Sequence, residues 1–409
     1  MSATKFPGIW SLLSIVFLAP PIKFHCADSN TTCPDNCTRW VYDRSVFKET
    51  IVSQWDLVCS KRQLVNVGQL VFVAGVMIGN LFFSVYSDRI GRKIPMVVSG
   101  VLQGLAGIVA GLMPCYTGFV FFRFIQAFAV AGGICTTHVL CAEVLGARSR
   151  ASVGVVTHVA VFIGTGFTAV VAHFTRHWRY FQIAISVPSL FVGAYWWLVP
   201  ESPRWLLAVG RNEEALKILK SAASWNKNPI PEYLPEQIGS QTRIENKNKK
   251  ATLLDLVKTP NVRKKNLNIW FSFGVVALNF YGIEQYLTEV GENMFINVAV
   301  SGVVMVPGVL LSMYTMNKFG RRVTLFASQF ISAASCFIII PIPEENERLR
   351  SAFAILGVTG AAVSFTTVFL FGSELFPTVA RNMGMGVGCT CSRVGAMIAP
   401  FVVSMVTII

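Results

Sequence analysis

The chain has 409 residues, 53% of them hydrophobic and only 14% charged. Soluble domains usually carry about 25% charged residues. Here the apolar residues gather in runs of about 20, the length of one bilayer-spanning helix. That excludes a soluble enzyme, a disordered scaffold and a transmembrane β-barrel, whose strands would alternate. The net charge of +14 reads as Lys and Arg retained on the cytoplasmic side of a multi-pass protein. No basic stripe interleaved with aromatics points to nucleic acid.

The first apolar stretch, 8–22, is short and ends in Pro20-Pro21. It reads as a clipped first transmembrane helix, with a signal peptide as the alternative. Residues 26–62 follow, with both N-x-Ser/Thr acceptors, Asn30 and Asn36, and four of the ten cysteines: Cys26, Cys33, Cys37 and Cys59. Glycosylation and disulfides both require the exoplasmic side. Four cysteines allow three pairings, and the sequence leaves all three open. The remaining cysteines, such as Cys135, Cys389 and Cys391, lie in apolar spans and read as small packing residues.

Further spans are predicted at 66–86, 95–113, 117–140, 152–173 and 179–199. A polar, basic loop at 200–265 follows, with a short amphipathic helix at about 212–223. Beyond it come spans at 267–284, 294–316, 323–342, 351–371 and 383–405. The organisation is therefore a first helix (1–25), an extracellular loop (26–62), the rest of an N-terminal bundle (63–199), a cytoplasmic loop (200–265) and a C-terminal bundle (266–409). The short connections assigned to the cytoplasm hold nine Lys/Arg and the alternate set four, which sets the orientation. His173 and His177 lack a third ligand, so no metal is expected. Gly384, Gly386 and Gly388 have no preceding strand and read as helix packing rather than a nucleotide loop. No nucleophile–base arrangement can be placed by spacing. The chain does not read as an enzyme and calls for no cofactor.

The sequence also repeats. Asp88-Arg89-Ile90-Gly91-Arg92-Lys93 returns 229 positions later as Asn317-Lys318-Phe319-Gly320-Arg321-Arg322, each copy at the cytoplasmic end of a span. Glycine permits a tight turn there, and the basic residues can meet carboxylates or helix C-termini. Two more signatures are Pro200-Glu201-Ser202-Pro203-Arg204-Trp205-Leu206-Leu207 and Glu374-Leu375-Phe376-Pro377-Thr378, with Ala380-Arg381-Asn382 after it.

The repeated loop resembles the signature of the major facilitator superfamily. Together with Cys37-Thr38-Arg39-Trp40-Val41-Tyr42-Asp43, Trp55-Asp56-Leu57-Val58-Cys59 and the signatures after the sixth and tenth spans, the chain resembles the organic cation, carnitine and organic anion transporter family. Sugar porters share some of these loops but lack such an ectodomain. They also carry a Gln-Gln pair where this chain has Leu278-Asn279-Phe280-Tyr281. The resemblance implies an all-α membrane protein of two helical-bundle halves around a midplane cavity, alternating access, a plasma-membrane setting and a small organic ion as substrate. A co-transported or exchanged ion is a further partner it allows. The family has twelve helices and a longer ectodomain. This chain ends just past the eleventh helix and reads as a shortened member.

Arg393 lies midway along the eleventh span, where the family's anion and carnitine carriers have Arg and its cation carriers Asp. A guanidinium at that depth faces a cavity or a partner and suits a carboxylate. By resemblance Phe280, Tyr281, Phe365 and Phe369 line the cavity, and Phe365 and Phe369 share one helix face. Glu284 is an added acid near the outer end of the seventh span, paired with Arg393 around a zwitterion or else solvated. Met305 replaces a typical acid, and Val309 and Val358 stand where anion carriers often have Lys. The resemblance assigns state-dependent ion pairs of the inner gate to Asp88, Arg92, Glu143, Arg148, Glu201, Arg204, Arg321, Glu374 and Arg381. Asn317 in place of the acid predicts a weaker latch in the second half. Anions or zwitterions are favoured; a cation uniporter and a non-transporting form or ligand sensor are the alternatives.

Overall fold

The computed structural model describes residues 6–20, 22–27, 33, 37, 39–144, 147–227, 258, 260–287, 293–343, 346–376 and 381–406. Asn30 and Asn36 lie outside these residues. The first apolar stretch forms two short helices, α1 (Phe6–Leu13) and α2 (Ile15–Leu18), ending ahead of Pro20. A two-stranded antiparallel hairpin, β1 (Phe24–Cys26) and β2 (Trp40–Tyr42), and a one-turn helix α3 (Ile51–Gln54) precede α4 (Gln63–Ile90). The N-terminal half continues with α5 (Lys93–Leu112), α6 (Tyr116–Val144), α7 (Ala147–Thr175), α8 (Trp178–Leu190) and α9 (Tyr195–Leu198). Two short helices follow, α10 (Pro203–Ala208) and α11 (Asn212–Asn226). The C-terminal half holds α12 (Pro260–Tyr286), α13 (Met294–Lys318), α14 (Arg321–Ile339), α15 (Glu347–Leu375) and α16 (Arg381–Val406). Each predicted span beyond the first coincides with helix; the 179–199 span is α8 and α9 joined by a 3-10 stretch, Phe191–Ala194.

Among the described residues, eight helical stretches are long and apolar enough to cross a membrane, one of them the run Trp178–Leu198 that joins α8 and α9. α12 is less apolar and carries buried Asn266 and Glu284. A membrane helix holds such groups only where they face protein or a cavity.

Within the first half α6 packs against α4 and α5, and α5 against α8; within the second, α12 packs along α16, and α15 against α13 and α14. The halves meet along α7–α13 and α4–α16. The first seam is a backbone crossing: a Cβ on Gly302 would lie 2.6 Å from the Gly166 amide nitrogen and 2.8 Å from the Phe162 carbonyl oxygen. Small residues let membrane helices approach this closely.

The hairpin is tied by two disulfides, Cys26–Cys37 and Cys33–Cys59, one of the three pairings the sequence leaves open. Thr50 and Ser53 form a reciprocal capping box on α3. The segment then straps onto the helix ends. Trp178 donates to Gln54 Oε1 at 2.7 Å, Trp55 donates to the Pro114 carbonyl at 3.0 Å, and His177 Nε2 meets Glu49 Oε2 at 2.9 Å. His177 is thus engaged with a carboxylate, and no cluster of three metal-ligating side chains exists among the described residues. Phe17 and Phe47 both pack on Phe295 at the start of α13, so an aromatic plug joins the two halves at this end.

Candidate functional site

At the end opposite the hairpin, the sequence repeat is also a repeat of backbone geometry. Gly91 and Gly320 both take positive φ, 101° and 86°, a conformation that favours glycine. One residue on, Arg92 Nη1 donates to the Ser87 carbonyl at 2.8 Å and Arg321 Nη1 to the Met316 carbonyl at 3.2 Å. Each guanidinium thereby caps the C-terminal end of the preceding helix, where the helix dipole favours a cation.

The two copies differ in their carboxylates. Arg92 pairs with Asp88 at 2.9 Å and with Glu143 at 3.0 Å, and its side chain is 10% exposed. Glu201 closes the cluster by accepting from the backbone N–H groups of Arg92, Lys93 and Ser202. Among the described residues Arg321 pairs with Glu374 alone, through Nε at 2.9 Å and Nη2 at 3.0 Å, with the side chain 35% exposed. Asn317 provides no second acid. Both clusters lie within one half rather than across the two. Arg204 is exposed and in no ion pair among the described residues. The side chains of Arg148 and Arg381 lie outside the described residues.

Between the halves, at the level of α2, lies a cavity of about 30 Å³ walled by α1–α2, α4, α12 and α16. Its lining includes Gln69, Phe72, Tyr281, Glu284, Gln285 and Arg393. Arg393 Nη1 donates to the Tyr281 hydroxyl at 3.2 Å. Three buried polar atoms on this lining have no hydrogen-bond partner: Arg393 Nε, Glu284 Oε2 and Gln69 Oε1. Buried polar groups are normally paired, and an orphan of this kind marks an absent partner such as water, an ion or a ligand. Glu284 is 3% exposed, which overturns the solvated alternative. The volume holds about two waters, so an organic ion enters only if the halves part.

The aromatic residues separate into two groups. Tyr281 lines the cavity. Phe280, Phe365 and Phe369 form a ladder beside it, with ring centres 5.5 and 5.1 Å apart, that continues to Phe273 at 4.9 Å. Phe280 also packs on Phe162 of α7. Met305, Val309 and Val358 are fully buried together with Phe280 and Ile283. Met305, Val309 and Val358 thus meet in one apolar cluster. Gln69 was not visible from sequence as a site residue. A Gln in an apolar span was its sole signal, and that signal does not say which face it takes.

A two-half helical bundle with a small, ion-lined cavity on its pseudo-symmetry seam is the architecture of a secondary transporter. The comparisons with known proteins agree. The profile of the family described as "Sugar (and other) transporter" matches residues 22–408, and the chain belongs to this family of the major facilitator superfamily. An organic cation transporter protein of Drosophila melanogaster is 35% identical over 372 residues, covering 89% of this chain and 68% of that protein. Mouse solute carrier family 22 member 3 is 35% identical over 352 residues (86% of this chain, 63% of the relative), and human solute carrier family 22 member 12 is 35% identical over 370 (89% and 66%). The chain thus spans about two thirds of the length of these relatives. The inward open structure of the xylose transporter XylE from E. coli superposes with a TM-score of 0.69 at 18% identity, over 97% of this chain and 87% of that one, a likeness of fold.

Proposed function

We propose that this chain forms a plasma-membrane carrier for small organic ions bearing a carboxylate, zwitterions included, working by alternating access of its two halves. The observation that carries the reading is the convergence of Arg393 Nε, Glu284 Oε2 and Gln69 Oε1, all unpartnered, on one cavity. A guanidinium offers a carboxylate charge-assisted hydrogen bonds, and Glu284 offers a counter-charge to an ammonium. Substrate with both groups satisfies both orphans at once. Replacement of the family's other charge positions by Met305, Val309 and Val358 concentrates recognition on this group.

The cytoplasmic clusters of Arg92 and Arg321 act, in this reading, as latches inside each half, whose pairs are remade as the helix ends of that half shift during the cycle, so they set populations of the two states. A cation uniporter is the second reading, favoured by the buried, unpartnered Glu284. Uptake into proteoliposomes of a labelled quaternary-ammonium carboxylate, an aryl carboxylate and a quaternary ammonium separates them. Uptake of the first two supports the proposal, and uptake of the third alone supports the cation reading. Uptake of none, with the protein correctly inserted, rules out both.

A further inference from the structure

A second charge sits in the first half, away from the Arg393 cavity. Arg123, on α6, is 2% exposed. Its Nη1 donates to Ser14 Oγ at 2.7 Å, at the break between α1 and α2. Its guanidinium lies over the Phe72 ring at 4.2 Å and near Phe119 at 6.0 Å. Nη2 is buried with no hydrogen-bond partner, and no carboxylate pairs with Arg123 among the described residues. The neighbouring polar groups are neutral: Ser11 accepts from Gln103 and Gln126, and Gln126 accepts from Gln182. Arginine does not shed its proton in proteins, so a full positive charge is buried there against rings and a hydroxyl. Such a charge in a membrane interior normally finds a counter-charge.

The guanidinium borders a small cavity lined by Ile15, Gly68, Tyr116, Phe119 and Val120, with Ile51 of α3 among the covering residues. Its volume is about 10 Å³, room for about one water-sized body, which excludes an organic carboxylate. The Tyr116 hydroxyl is engaged, donating to the Leu64 carbonyl at 2.6 Å, and so supplies no negative charge. We infer that Arg123 binds a single small inorganic monovalent anion, of chloride size, in this cavity between α2, α4 and α6. The ion supplies a counter-charge that no described residue provides and holds α2 and α4 on α6. Phe72 carries the effect onward, because the same ring that stacks on Arg123 is a wall of the Arg393 cavity.

The test is thermal unfolding of the purified full chain in lipid nanodiscs as chloride replaces gluconate at constant ionic strength. The wild type should gain at least about 2 °C, saturably, since a ligand bound only by the folded state raises its midpoint. Ser14→Asp places a carboxylate at Arg123 and should abolish the chloride response while keeping a chloride-like midpoint in gluconate. Arg123→Gln should lose the response, whereas Arg393→Gln should retain it. A flat wild-type response overturns the inference. So does a chloride response that survives in Ser14→Asp, which can be read even if Arg123→Gln fails to fold.

Discussion

Arg393 donates to the Tyr281 hydroxyl across 3.2 Å and keeps Nε unpartnered, while Glu284, three residues beyond Tyr281 on the same helix, keeps Oε2 unpartnered beside the same cavity. Opposite charges therefore share a cavity without pairing to each other. A direct ion pair would satisfy both and leave nothing for a ligand. Held apart, each retains capacity for a complementary group on a substrate.

Arg393→Gln should lower uptake of carboxylate-bearing substrates at least tenfold. A charge-assisted hydrogen bond contributes about 1.5–3 kcal/mol, and about 1.4 kcal/mol is a factor of ten. Glu284→Gln should leave aryl carboxylate uptake within about twofold and reduce uptake of the quaternary-ammonium carboxylate by about tenfold. Initial rates normalised to surface protein make the comparison. If the two variants affect both substrates equally, the division of labour between Arg393 and Glu284 is wrong.

Much of the fold was legible because bilayer helices announce themselves by length and apolarity. The turn repeat was legible too, since Gly91 and Gly320 occupy equivalent positive-φ positions and Arg92 and Arg321 equivalent caps. The site was only partly legible. Periodicity placed Phe365 and Phe369 on one face, yet that face stacks on Phe280 and Phe273, while Tyr281 lines the cavity. Which side of an all-apolar helix meets the other half depends on tertiary packing, which no single helix encodes. Arg123 stands in an apolar run of the sequence, but that no described acid pairs with it depends on how α2, α4 and α6 come together.

The α7–α13 crossing should be intolerant of a single methyl group. In Gly302→Ala the new carbon would meet backbone at 2.6 and 2.8 Å, and neither the Gly166 nitrogen nor the Phe162 oxygen can rotate away. Overpacking of this kind costs about 1–3 kcal/mol. Gly166→Ala should cost less, because its nearest outside atom is the Ala299 oxygen at 3.3 Å. Melting of both variants in one detergent ranks them, and equal midpoints would contradict the crossing geometry.

Asn317→Asp should make the second latch resemble the first. Arg92 has an acid four residues before it in Asp88, and Arg321 has Asn317 in that place. The added pair is exposed on one side, so its contribution to stability is small, about 0.3–0.5 kcal/mol. Its kinetic effect separates latch from scaffold. A latch that must open each cycle turns over more slowly when strengthened, whereas a static brace leaves turnover unchanged. Turnover of Asn317→Asp in proteoliposomes, measured with and without added salt, gives the answer. Slowing relieved by salt fits the latch, because salt screens exposed pairs; unaltered turnover at both ionic strengths rules it out.

The two disulfides should contribute unequally. Cys33–Cys59 closes a separation of 26 residues and Cys26–Cys37 one of 11. In the chain-entropy account the longer loop constrains the unfolded segment more, by about 0.8 kcal/mol. Position adds to this. Cys59 sits just ahead of α4, so Cys33–Cys59 anchors the hairpin to the bundle, whereas Cys26–Cys37 closes only the hairpin on itself. Replacing Cys33 and Cys59 together by Ser should therefore expose the 22–60 segment to protease far more than replacing Cys26 and Cys37. It should also loosen the strap that Trp55 and Gln54 make with Pro114 and Trp178. Limited proteolysis of both double variants under non-reducing conditions reads the difference. Cleavage at equal rates would mean that the Trp55 and Gln54 contacts, rather than the longer disulfide, hold the segment on the helix ends.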